Sequence, residues 1–259
     1  MQTLFGRDRL PGSVGLHTRQ ERVLQPDGAS GEARDDKRQE PGRGYESELI
    51  IGVGVACRSG MSVDLSSSDQ ILLDEDYPPH EQLPRRAEFT FTLTDTPDGR
   101  KVSRMVCDGV QVGDAITDAS RIEDGYCFHD AFHLAHAAVL GWSPVLRALM
   151  KRKRRSDPKV DEAEDGGRAI VVEEGISALV FAYASEHHYL DGKTHIDTPL
   201  LDTIRLLVAQ LEVSVHRTAD WEKAILTGYA AWRQLHQQRG GIVDLDMTTQ
   251  TLSVRPFGT

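Results

Sequence analysis

His129, Asp130, His133 and His136 place three imidazoles and a carboxylate in one short stretch, Gly125-Tyr126-Cys127-Phe128-His129-Asp130-Ala131-Phe132-His133-Leu134-Ala135-His136. On an α-helix the histidines fall at i, i+4 and i+7, a single face, and Asp130 borders it. Imidazole nitrogens and carboxylate oxygens hold divalent cations, and histidine also moves protons near neutral pH. Further along, Glu173 and Glu174 interrupt a run of Ala169, Ile170, Val171, Val172, Ile176, Leu179, Val180 and Phe181. A helix of that composition is apolar almost all the way round. At least one of its carboxylates therefore faces a helical interior, where it needs a partner or a metal. Two such helices side by side would build a metal site in a bundle core. The plainer readings are core histidines satisfied by neighbours and the charged edge of an amphipathic helix.

Other charged groups admit two readings each. Asp161, Glu162, Glu164 and Asp165 form an acidic cluster in which Glu162-x-x-Asp165 sits at i, i+3. It offers further oxygen ligands, or it balances the basic run Lys151-Arg152-Lys153-Arg154-Arg155. That run is either a solvated helix end or a phosphate contact. Oxygen ligands of this kind suit magnesium or manganese better than zinc. The string His-Asp-x-x-His superficially resembles the zinc-protease motif His-Glu-x-x-His. Asp130 is shorter than the glutamate base of that motif and no third ligand stands out downstream. The doublet His129-Asp130 also resembles that of HD-type phosphohydrolases, which need an upstream histidine and a distant aspartate. His80 and Asp191 are the nominees here.

Bulk properties narrow the classes. The chain has 259 residues and a formal net charge of −10, with a pI near 5.5, which argues against binding a nucleic-acid polymer. Cys57, Cys107 and Cys127 are scattered, odd in number and lack metal-ligand spacing. They fit a reducing compartment without a disulfide framework. The apolar stretch Leu49–Ala56 is too short to span a bilayer. A soluble, cytoplasmic protein with no membrane partner is the expectation.

The elements that must position these residues follow from patterning. Residues 1–45 are rich in Gly, Arg, Asp, Glu, Gln and Pro, and are expected to form a disordered or poorly ordered leader. A more ordinary sequence begins at Met61, consistent with a start site placed too far upstream. Within a region 46–120, Ala87–Thr94 alternates apolar and polar residues, Pro97-Asp98-Gly99 supplies a turn, and Lys101–Cys107 returns. A β-hairpin over 85–115 is expected, broken by Gly109 and Gly113. Residues 121–240 read as helical. Ser143-Pro144 and Ser156-Asp157-Pro158 are helix starts, and Arg168–His187 is a strongly apolar helix. Thr198-Pro199 opens a helix with Leu200, Ile204, Leu207, Leu211 and Val215 on one stripe. Thr218 is the candidate cap of a last helix carrying Trp221, Ile225, Tyr229 and Trp232 and stopping at Gly240-Gly241. Residues 241–259 form a terminal hairpin around Met247-Thr248-Thr249. The expected fold class is mainly α, a helical bundle with small β-hairpin accessories before and after it. The stripes of the last two helices pack either inside one chain or between copies, and a homo-oligomer is expected.

The segment from about Gly109 to Tyr183 resembles the helical domain of MazG-like nucleotide pyrophosphohydrolases. The likeness is carried by Phe128-His129-Asp130-Ala131-Phe132-His133, Gly141-Trp142-Ser143-Pro144, Asp161–Arg168 and Glu173-Glu174-Gly175-Ile176-Ser177. It implies an all-α bundle, commonly dimeric or tetrameric, that uses Mg2+ (or Mn2+) to hydrolyse a nucleoside triphosphate substrate to monophosphate and pyrophosphate. The usual pattern is Glu-Glu-x-x-Glu on one helix and Glu-x-x-Asp on the next. Here His129, Asp130 and His133 stand where the first acids belong. Glu174 matches the second glutamate, and Ser177 occupies the place of its aspartate. By this resemblance the metal would lie among His129, Asp130, Glu162, Asp165, Glu173 and Glu174. Asp130, His133 and Glu174 would carry catalysis, Lys151, Arg152, Lys153 and Arg168 would clamp phosphate, and Phe128, Phe132 or Trp142 would line a base pocket. The alternatives are an HD-like phosphohydrolase and a non-catalytic helical oligomer that binds nucleotides or protein.

Overall fold

Apolar–polar alternation after Arg85 gives a strand, as its period requires. The computed structural model describes residues 70–258. The expectations for the leader 1–45, for Leu49–Ala56, for Cys57 and for Met61 lie outside those residues. Strand β1 (Arg86–Asp95) turns at Thr96–Gly99 and pairs antiparallel with β2 (Lys101–Cys107). The chain does not end its sheet there. Asp108 and Gly109 both take positive φ, 50° and 75°, the two-residue turn that matches strand twist. They reverse the chain into β3 (Val110–Ile116). Gly113, at φ 73°, lies where the β2–β3 register shifts, so it forms a bulge within a strand rather than a break.

The two hairpins are not separate accessories. Strand β4 (Gly240–Asp246) pairs with β5 (Thr251–Arg255) on one side and antiparallel to β1 on the other, with Phe89 opposite Val243. The result is one five-stranded antiparallel sheet of order β3-β2-β1-β4-β5. The mainly-α expectation is corrected accordingly: the fold mixes helices with a substantial sheet, helices predominating. An isolated hairpin is marginal and leaves an edge of unpaired backbone groups. Here β1 and β4 satisfy each other's edge.

Phe89, Phe91, Met105, Val243 and Leu245 are buried on the inner face of this sheet. Helices α1 (Asp130–Leu140) and α6 (Thr218–Gln238) pack against it. Every residue of α1 is buried, because the sheet, α6 and α4 (Gly167–Ser185) surround it. Gly228 allows α6 to approach closely, since a Cβ there would lie 3.1 Å from Ala135 Cβ and 3.3 Å from Phe132 Cδ1. The remaining helices start where their caps predict. Ser143 Oγ accepts from Leu146 N at 3.0 Å to open α2 (Pro144–Leu149). Asp157 accepts from Lys159 N at 3.0 Å to open α3 (Pro158–Ala163). Thr218, by contrast, is already helical, and the Asp220 carboxylate accepts from Arg217 N at 2.9 Å to cap α6. In α5 (Thr198–Val208) and the turn after it, Leu200, Ile204 and Leu211 are buried while Leu207 and Val215 are exposed. Trp221, Ile225, Tyr229 and Trp232 all fill this chain's own core.

Candidate active site

The start of α1 is held from two sides. Asp118 Oδ1 accepts from Cys127 N at 2.8 Å, and Oδ2 accepts from Asp124 N at 3.1 Å and Gly125 N at 3.3 Å. Burial raises the Asp118 carboxyl pKa, but these donors outweigh it and the carboxyl stays below its ordinary range. Trp232 Nε1 of α6 donates to Gly125 O at 2.9 Å. His129 follows directly. Its ring stacks on Tyr126, with centroids 4.5 Å apart, and its Nδ1 lies 3.0 Å from Tyr126 O. A carbonyl only accepts, so Nδ1–H donates and Nε2 is the nitrogen turned outward.

Behind this, Glu173 is fully buried and saturated. Its Oε1 lies 2.9 Å from His133 Nδ1 and 3.0 Å from His136 Nδ1, and accepts from Ser143 Oγ at 2.8 Å. Its Oε2 accepts from Val145 N at 2.8 Å, a free amide of the first turn of α2, where a carboxylate also meets the positive end of the helix. Burial alone would raise the Glu173 carboxyl. The facing His133 charge and the imidazole donors overcome it and hold the pKa at about 2. Burial would likewise depress His133, but the Glu173 charge and hydrogen bond, with Glu174 beyond, raise it to about 10.

The forward edge of His133 is different. Its Nε2 is buried without a hydrogen-bond partner and lies 3.6 Å from Glu174 Oε1, too far for a hydrogen bond. Glu174 reaches the other ring through its second oxygen, with His129 Nε2 at 3.9 Å from Oε2. Asp130 Oδ1 is also 3.9 Å from His129 Nε2. Ligand atoms of His129, Asp130 and His133 all lie within 4.8 Å of one another. Burial keeps the Asp130 carboxyl above its usual range despite His129 and His133. Glu174 is the most exposed of the group, at 41% of its side chain; burial raises its carboxyl, and the facing charges of His133 and His129 overcome that and lower its pKa. A second cluster, His133, His136 and Glu173, is closed by direct hydrogen bonds. The open half is therefore the one suited to a cation.

Other sequence candidates stand elsewhere. Neither cluster includes Glu162 or Asp165. Glu162 is exposed on α3. Asp165 is buried and accepts from Arg154 N at 2.6 Å, Nε at 3.1 Å and Nη2 at 2.7 Å, so its ligand role gives way to an ion pair. The basic run is split. Lys151 is exposed, Lys153 half-buried, and Arg168 exposed on the first turn of α4. Arg152 donates to Gln82 O at 2.8 Å, and the buried Arg154 bridges Asp165 and Glu212. His80 and Asp191 are largely exposed and belong to neither cluster. Phe128, Phe132 and Trp142 are core side chains, at most 4% exposed. Ser143 and Asp118 were not foreseen as site residues. Only the Ser-Pro cap signal marked the former.

A buried carboxylate that fixes two histidines, with an open histidine–carboxylate edge, defines a helical acid–imidazole site backed by an antiparallel sheet. The chain belongs to the MazG C-terminal domain family, whose model matches residues 68–258. The match takes in the sheet and terminal hairpin as well as the helices that carry the sequence likeness. No curated protein and no solved structure matches the chain.

Proposed function

We propose that this protein is a divalent-metal-dependent nucleotide pyrophosphohydrolase that cleaves a nucleoside triphosphate to monophosphate and pyrophosphate. Family membership supports the class. The observation that carries the site is His133 Nε2, buried and unpartnered beside Asp130, His129 and Glu174. With its proton displaced by the ion, such an atom, among oxygen and nitrogen donors, fits a cation.

His129, His133 and Asp130 would hold the divalent ion. When bound, it neutralises phosphate charge and lowers the pKa of a coordinated water. Glu174, charged and half-exposed, accepts the proton of the attacking water. The water oxygen bonds to the α-phosphorus as the bond to the bridging oxygen breaks and pyrophosphate leaves. Glu173 touches no substrate; it fixes the direction of His133. Exposed Arg168 and Lys151, with Lys153, contribute positive charge for phosphate oxygens. The protein acts in the cytoplasm as a homo-oligomer, and a second copy would cover exposed apolar side chains such as Leu206, Leu207 and Val215.

Phosphorus NMR of the products tests the reading. Monophosphate with pyrophosphate supports it. Diphosphate with inorganic phosphate, or cleavage of monoesters or cyclic diesters alone, contradicts it and points to HD-like chemistry. Nucleotide binding without turnover points to a non-catalytic binding protein.

A further inference from the structure

The two imidazoles of the open half are anchored in the same way. His129 Nδ1 is tied to the Tyr126 carbonyl at 3.0 Å and His133 Nδ1 to Glu173 Oε1 at 2.9 Å. Each ring is thereby held by Nδ1 with Nε2 left forward, that of His129 3.9 Å from Asp130 Oδ1 and that of His133 3.6 Å from Glu174 Oε1. Outer partners of this kind set the orientation of ligating histidines and raise their basicity. Neither ring can turn to offer its other nitrogen without breaking that bond. Glu173 cannot leave His133 to become a ligand itself, because it also holds His136, Ser143 and Val145.

We propose that the cation of this site is a first-row transition ion, manganese(II) or cobalt(II) being the suitable probes, rather than magnesium. It is bound through Nε2 of His129, Nε2 of His133 and an oxygen of Asp130. Magnesium is a hard ion that prefers oxygen and surrenders water reluctantly. Two fixed nitrogens replace two of the oxygens it would take. Imidazole suits the later divalent ions, and two histidines with one carboxylate leave further positions open for water and substrate. The inference rests on the metal-dependent reading above for the location of the ion, and not on the identity of the nucleotide.

Metal-stripped full-length protein would be titrated with Mg2+, Mn2+ and Co2+ by calorimetry. Pulsed electron paramagnetic resonance of the Mn2+ form would detect coordinated nitrogen directly. Expected are Mn2+ binding on the order of 100-fold tighter than Mg2+, nitrogen coupling in the spectrum, and loss of part of that coupling in His129→Asn. His129 is the variant of choice because it precedes α1, whereas His133 sits in the core; circular dichroism confirms the fold of each. A His129→Asp variant, which exchanges nitrogen for oxygen, should narrow the Mn2+ over Mg2+ preference. Equal affinities, or Mn2+ bound without nitrogen coupling, overturn the proposal. Tight nitrogen-coordinated Mn2+ in a protein that hydrolyses no nucleotide upholds the metal assignment while removing the hydrolase. Turnover and affinity equal for both ions do the reverse.

Discussion

Glu173 and Glu174 are neighbours in the chain and opposite in role. The first is consumed by four donors, and the second faces outward with room to act. That one of the pair turns inward is legible from the apolar residues around them. Which one is not, because two of the saturating donors, Ser143 Oγ and Val145 N, come from the start of another helix. Asp165 shows the same limit, its spacing with Glu162 matching a ligand pair while Arg154 claims it. Asp165→Ala should destabilise the fold by about 3–5 kcal/mol, since it strands buried guanidinium charge. Chemical denaturation would measure that loss, and a change near zero would contradict the ion-pair role. Acid should act through the depressed carboxyls. Glu173, lowered from 4.5 to about 2, contributes stability that is fully present above pH 4.5 and lost as pH falls towards 2. Asp74 is buried, and Arg147 with other donors lowers its carboxyl from 3.8 against the burial effect, so it acts in the same direction. A Glu173→Gln variant followed by thermal melting from pH 6 to pH 2.5 should show a shallower acid limb than wild type; parallel limbs would contradict the depressed pKa.

At the level of elements, caps were the readable part. Ser143-Pro144 and Asp157-Pro158 are local signals, and the hydrogen bonds that satisfy them span three residues or fewer. Strand β3 was hidden because Gly109 and Gly113 look like breaks when each is a turn or bulge position with positive φ. The basic run was legible as charge but not as architecture. Arg152 and Arg154 turn inward to tie the segment before β1, through Gln82 O and Leu73 O, to the turns after α2. The most demanding contact lies between α1 and α6, where Gly228 faces Ala135 and Phe132. Gly228→Leu would push these helices apart and cost about 1–3 kcal/mol or more by overpacking. Because α1 carries Asp130 and His133 and begins directly after His129, the same substitution should also weaken metal binding measured by calorimetry in the folded fraction. Unchanged stability and affinity would show that the contact is not tight.

For the whole molecule, the pairing of β1 with β4 decides the fold, and no local pattern announces it. The partners are separated by the entire helical region, so local patterning identifies two hairpins but not which of their edges pair. Removal of residues 240–258 should therefore abolish cooperative unfolding. It uncovers β1 and the inner face built by Val243 and Leu245; a truncated chain with an intact thermal transition would show the tail to be an accessory after all. Among the described residues no helix is long and apolar enough to cross a membrane. The central claim is that one open edge, shared between α1 and α4, performs metal-dependent triphosphate cleavage. Its most direct test is pyrophosphate release from a panel of nucleoside triphosphates, with Mg2+ or Mn2+, by wild type, Glu174→Gln, Asp130→Asn and Glu162→Gln proteins of verified fold. Release by wild type and Glu162→Gln, falling at least ~100-fold in the other two, is the expected result. No release by folded wild type with any substrate or metal, or release undiminished in Glu174→Gln and Asp130→Asn, would contradict it.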